Sequence, residues 1–200
     1  MSRSWNAIAW TTLTMVGLAG GLAAGLLLGR PLEAIVGMML VTPIVTGLVG
    51  CVLGLSQVVY LRSSLERAIL WVVATCLGLA IGLAGGVILI EQAGTAILGH
   101  RPHLFQLSPS VRALCLMALG LIAGAVLGLA QRLVLRRSRL RVTHWASLSA
   151  IALGTAFGIS SLVVDAMNGG FGSTAGAITF VVLASAVYGA VSSIPLRSAA

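Results

Sequence analysis

The chain has 200 residues, of which 58% are hydrophobic and 8% charged, with a mean hydropathy of +1.09. A soluble domain solvates its surface with about 25% charged residues, so this composition excludes one and predicts an integral membrane protein. The net charge of +8 comes from arginine alone. On a soluble domain such a balance would suggest nucleic acid, but here the arginines fall between apolar runs, where they act as topology signals.

Six apolar runs can each cross a ~30 Å hydrocarbon core. The first covers about 7–29, too long for a signal-peptide core, and carries Gly17, Gly21, Gly25 and Gly29 at every fourth position. Residues 30–33, Arg-Pro-Leu-Glu, read as a turn into a second helix at 34–61, which holds Pro43, Gly50 and Gly54. A basic loop at 62–67 leads to a third helix at 68–90 with Gly78, Gly82 and Gly86. The longest connection is 91–109. A fourth helix follows at 110–135 with Gly120, Gly124 and Gly128, then the most basic loop, 136–143. The fifth helix is expected at 144–165 and the sixth at 175–195, ended by Pro195. Small residues four apart let helices approach closely in lipid, where apolar burial does not drive them together.

Residues 50–71 align with 124–145 at an offset of 74, with 11 of 22 positions identical. The first helix aligns with the third at an offset of 61 through Trp10/Trp71, Thr14/Thr75, Gly17/Gly78 and Gly21/Gly82, and Trp145 and Ser149 extend the set into the fifth. Gly54, Leu61 and Arg62 match Gly128, Leu135 and Arg136, then Gly189, Leu196 and Arg197. The expected fold is therefore an all-α integral membrane protein, a single domain over 1–200, with six transmembrane helices as three tandem parallel hairpins (1–61, 62–135 and 136–200). Parallel repeats imply a pseudo-threefold axis along the membrane normal. Nine arginines fall on the side that holds both termini against three on the other, which predicts cytoplasmic ends and residence in a bacterial cytoplasmic membrane.

Gln57 and Gln131 are aligned, with Ser192 in the third place, five residues before each boundary arginine. They form a candidate polar level near one mouth of the bundle, or a set of interhelical hydrogen bonds. Thr14, Thr75 and Ser149 form a second aligned set, expected to bond to the carbonyl one turn back. Trp10, Trp71 and Trp145 sit at the starts of the odd helices and are expected as interface anchors, with the indole ring apolar and its N–H wet. His100, Arg101, His103 and Phe105 lie in the unrepeated insertion and form a candidate docking loop. His100 and His103 have no completed metal set beside them.

Cys51, Cys76 and Cys115 are isolated in apolar runs and read as small core residues. Glu91 and Asp165 are aligned at helix ends, where interface charges belong. No acid lies mid-span, where a cation-coupled transporter would keep one. No hydrolase, metalloprotease or phosphate-loop motif is present, so an enzyme is not expected. No haem ligation pattern is present either, because no histidine lies within a span. Lipid or pigment in the helix clefts stays open, and the cofactor is undetermined.

The joint Gly54-Leu55-Ser56-Gln57-Val58-Val59-Tyr60-Leu61-Arg62, completed by Trp71, resembles that of a loosely defined group of bacterial multi-pass proteins without an assigned activity. The resemblance implies the architecture only. Three two-helix repeats also characterise mitochondrial carriers, but their proline–acid–basic motif does not recur here and these units are shorter. The function expected first is a non-catalytic accessory subunit of a larger membrane complex, with an energy-converting or photosynthetic assembly as its setting and other membrane subunits and lipid as partners. The alternative is a small transporter or channel for a neutral or lipid-like solute, constricted at Gln57, Gln131 and Ser192.

Overall fold

A computed structural model of the protein describes residues 3–36, 38–61, 68–99, 107–136, 144–167 and 174–193. They form six helices: α1 (Arg3–Val36), α2 (Met38–Leu61), α3 (Ala68–Leu98), α4 (Pro109–Leu135), α5 (Trp145–Ala166) and α6 (Thr174–Ser192). No strand occurs among the described residues. Each helix contains a span long and apolar enough to cross a bilayer, and the protein is an all-α, multi-pass membrane protein.

Two expected turns are helical. Residues 30–33 lie inside α1, which runs on through Pro31 to Val36. Proline lacks the N–H for the carbonyl one turn back, but transmembrane helices tolerate that loss where neighbours re-satisfy the backbone. Residues 91–98, assigned from sequence to the long connection, are the last two turns of α3. Glu91 and Gln92 interrupt hydropathy but are good helix formers, and the helix ends only at Gly99, whose φ of 74° suits glycine. At 31 residues, α3 is about 46 Å long and overruns a hydrocarbon core of ~30 Å. The end expected at Pro195 lies outside the described residues.

Each helix packs against its neighbours in sequence, and α1 also packs against α6, so the six close into a ring. Glycine sets the approach. Gly17, Gly21 and Gly25 of α1 back onto Leu53, Val49 and Val45 of α2, while Gly78 and Gly82 of α3 back onto Leu127 and Ala123 of α4. Between α4 and α5 a Cβ added at Gly124 would stand 2.8 Å from Ala150 Cα, and one at Gly128 2.6 Å from Ala146 Cα. No side chain fits there. The perimeter is apolar, with Leu27, Ile69 and Ile97 at 76%, 74% and 81% exposure, whereas Thr14, Gln57, Thr75, Gln131, Ser149 and Ser192 are buried. That inversion is what a lipid solvent selects.

Candidate functional site

Thr14, Gln57, Thr75, Gln131, Ser149, Ser192 and Ser193 are buried at one end of the ring, at the level where α1, α3 and α5 begin and α2, α4 and α6 end, while Ser160, Ser161 and Ser185 are buried farther along α5 and α6. Trp10, Trp71 and Trp145 are buried there and pack with Leu61 and Leu135. Their rings meet edge to face: Trp10 and Trp145 have centroids 6.2 Å apart, and Trp71 and Trp145 6.0 Å. Tyr60 adds a fourth ring, 5.7 Å from Trp10. Such T-shaped pairs contribute about 0.5–1.5 kcal/mol each beyond their area burial.

This placement corrects the expectation of interface anchors. The indoles face one another inside the bundle rather than the lipid boundary, and their N–H groups meet protein rather than water. Trp71 Nε1 donates to Gln57 Oε1 at 3.1 Å, Trp145 Nε1 to Gln131 Oε1 at 2.8 Å, and Trp10 Nε1 to Ser192 Oγ at 2.9 Å. A buried indole N–H can only donate, so each tryptophan requires an acceptor beside it. Every residue of the expected polar level supplies one. The sequence pointed to both sets separately and missed that they are partners.

The bonds follow a rule. In each case an even helix supplies the acceptor and the next odd helix supplies the indole: α2 to α3, α4 to α5, and α6 back to α1. The last bond joins residues 182 apart in the chain and holds the two ends of the ring together. Because the indole hydrogen claims the amide oxygen, each glutamine nitrogen is turned the other way. Gln131 Nε2 donates to Thr75 Oγ1 at 2.9 Å, and Thr75 passes its own hydrogen to Trp71 O at 2.8 Å. Thr75 thus makes the expected bond one turn back. The aligned Thr14 does not, and Thr14 Oγ1 and Gln57 Nε2 have no hydrogen-bond partner in the protein.

The third joint differs in composition. Ser192 is too short to reach inward as glutamine does, and its hydroxyl bonds to Gly189 O at 3.3 Å. Tyr188, one turn deeper, stands where the other joints carry Leu53 and Leu127. Its hydroxyl lies beside Ser149 without completing a hydrogen bond. Tyrosine and serine together thus replace leucine and glutamine. Tyr188 escaped the sequence reading because a lone tyrosine in an apolar helix carries no signal until its level is known.

A second polar feature lies at the opposite end of α4 and α5. Arg112 Nη2 and Asp165 Oδ1 are 3.3 Å apart, with side chains 12% and 9% exposed. Asp165 thereby departs from its aligned partner Glu91, which is exposed. Asp165 is expected from the sequence as an interface charge at a helix end, and the structure pairs it with Arg112.

Cys51, Cys76 and Cys115 carry free, partly buried thiols. Among the described residues no three His, Cys, Asp or Glu side chains group into a metal site. His100, Arg101, His103 and Phe105, the expected docking loop, lie outside the described residues. Comparison with known proteins finds no matching family model, no matching curated protein and no matching solved structure.

Proposed function

We propose that this chain is a non-catalytic accessory subunit of a larger membrane complex, built from three parallel copies of one helical hairpin about a pseudo-threefold axis, with both termini cytoplasmic. One observation carries the reading. The polar level at Gln57, Gln131 and Ser192, the best constriction the sequence offers a solute, is spent on the hydrogen bonds of three buried tryptophans. A layer whose acceptors are bound internally, under a plug of edge-to-face indoles, serves cohesion. Interhelical bonds of this type contribute about 0.6–2 kcal/mol each in membranes.

The repeat is supported by the aligned Trp10, Trp71 and Trp145 each donating to the aligned Ser192, Gln57 and Gln131, and sidedness by the arginine distribution. An energy-converting or photosynthetic assembly in a bacterial cytoplasmic membrane is the proposed setting. The apolar perimeter and the long α3, which leads into the unrepeated insertion, are the proposed contact surfaces for other subunits.

Native mass spectrometry of the protein extracted from its own membranes in mild detergent tests the reading. Fixed stoichiometry with other subunits is the expected result. Arrival alone, or as a small homo-oligomer, rejects it in favour of a small transporter or channel for a neutral or lipid-like solute. Gln57→Ala combined with Gln131→Ala would then abolish flux.

A further inference from the structure

The tryptophan plug lies over a set of polar atoms that the protein itself does not satisfy. Thr14 Oγ1, Gln57 Nε2 and Tyr188 Oη are buried without a hydrogen-bond partner in the protein, on residues at 0% exposure. Helix register brings the three to one level. Gly17 of α1 backs onto Leu53 and Ser56 of α2, which sets Thr14, nearly one turn earlier, opposite Gln57. On the other flank Trp10 bonds to Ser192 and Gly189 backs onto Thr11. One turn deeper on both helices, α1 carries Thr14 and α6 carries Tyr188, whose hydroxyl also lies beside Ser149 of α5.

Orientation adds to register. Trp71 holds Gln57 by its oxygen, so the amide hydrogens are turned away from the plug. In the aligned joint the same constraint delivers Gln131 Nε2 to Thr75, so Gln57 Nε2 is aimed toward Thr14. An unsatisfied buried polar group costs about 1–3 kcal/mol, and three at one level call for a shared partner. A buried water makes about three hydrogen bonds to groups of this kind.

We propose that a single water molecule is bound between Thr14 Oγ1, Gln57 Nε2 and Tyr188 Oη, as a fixed part of the α1/α2/α6 junction. It accepts from the amide and exchanges hydrogen bonds with the two hydroxyls. The site has two rotatable hydroxyls and one amide, with no charge of its own. A halide there would be stripped of its hydration with no cation among these ligands to offset the loss. Water suits the site; an anion does not.

A density map of the full chain in lipid nanodiscs, at a resolution that shows ordered water, tests the site. The expected result is one peak within hydrogen-bond distance of all three atoms, absent from a map of Thr14→Val. A direct bond from Gln57 Nε2 to Thr14 Oγ1 with no peak between them would overturn the proposal. So would a peak that gains anomalous signal when chloride is exchanged for bromide, since that identifies a halide. The wild-type map decides alone if Thr14→Val does not fold.

Discussion

The joints around Gln131 and Gln57 share their tryptophan, glutamine, threonine and leucine, yet one closes and the other does not. Gln131 spends both ends of its amide, at 2.8 Å to Trp145 and 2.9 Å to Thr75. Gln57 spends only its oxygen, at 3.1 Å to Trp71, and leaves its nitrogen and Thr14 without protein partners. The difference lies in the residues beside the motif. Gly128 backs onto Ala146, whereas the aligned Gly54 backs onto Val72; an added Cβ would stand 2.6 Å from the Cα of the first and 2.9 Å from that of the second. α1 rests against Ser56 where α3 rests against Ala130. The Gln57 joint thus carries two extra methyls, on Val72, and one extra hydroxyl, on Ser56, although α1 approaches α2 as closely as α3 approaches α4, an added Cβ at Gly17 standing 2.9 Å from Leu53 Cα and one at Gly78 2.8 Å from Leu127 Cα. Motif residues name the bond; their small neighbours decide whether it forms.

The strongest way to break this contrast is to remove the close approach behind the closed joint. Gly124→Leu forces a side chain against the α5 backbone at Ser149 and Ala150. It should cost about 3 kcal/mol or more. The unfolding midpoint in detergent would report the loss, and a red shift of tryptophan emission would report exposure of the plug. The matching change Gly20→Leu, on a glycine whose added Cβ stands 3.6 Å from Val52, should be far milder.

The glutamines come next. Gln131→Leu strands the Trp145 N–H and takes a donor from Thr75, for an expected loss of about 2–3 kcal/mol. Gln57→Leu strands only the Trp71 N–H and removes an amide nitrogen that has no protein partner, so about 1 kcal/mol is expected. Parallel unfolding curves should separate the two, and equal losses would erase the distinction between the joints. Ser192→Ala should cost about 1 kcal/mol through the Trp10 N–H. Because that bond closes the ring, its effect should concentrate in faster hydrogen exchange on α1 and α6.

Six apolar helices, their order and the paired recurrence of Gln and Trp could be read from the chain because each rests on spacing along one helix. What could not be read depends on facing. Indole prefers a wet boundary, so Trp10, Trp71 and Trp145 read as anchors until Gln57, Gln131 and Ser192 are seen to give their N–H groups a dry acceptor. The extra turns of α3 at 91–98 were hidden because Glu91 and Gln92 end hydropathy, not helix. Asp165 and Arg112 are 53 residues apart, and only the antiparallel packing of α4 on α5 makes them a pair 3.3 Å apart. Compensation between Tyr188 and Ser192 needs all three joints side by side.

The finest comparison is a conversion. Ser56→Ala gives the Gln57 joint the residue that Ala130 supplies to the other. Ser56 Oγ bonds only to Leu53 O one turn back, at 2.7 Å, a contact that competes weakly with the helix itself, so stability should change by less than about 0.5 kcal/mol. The geometry should still respond. With α1 free to settle toward α2, the Gln57 amide gains reach to Thr14, and its bond to Trp71 should shorten toward the one at Trp145. The indole N–H resonance of Trp71 should then move toward that of Trp145 in a spectrum of the tryptophan-labelled protein. An unmoved resonance would assign the difference between the joints to Val72 alone, and Val72→Ala, tested the same way, would show whether its two methyl groups set the spacing of α2 and α3.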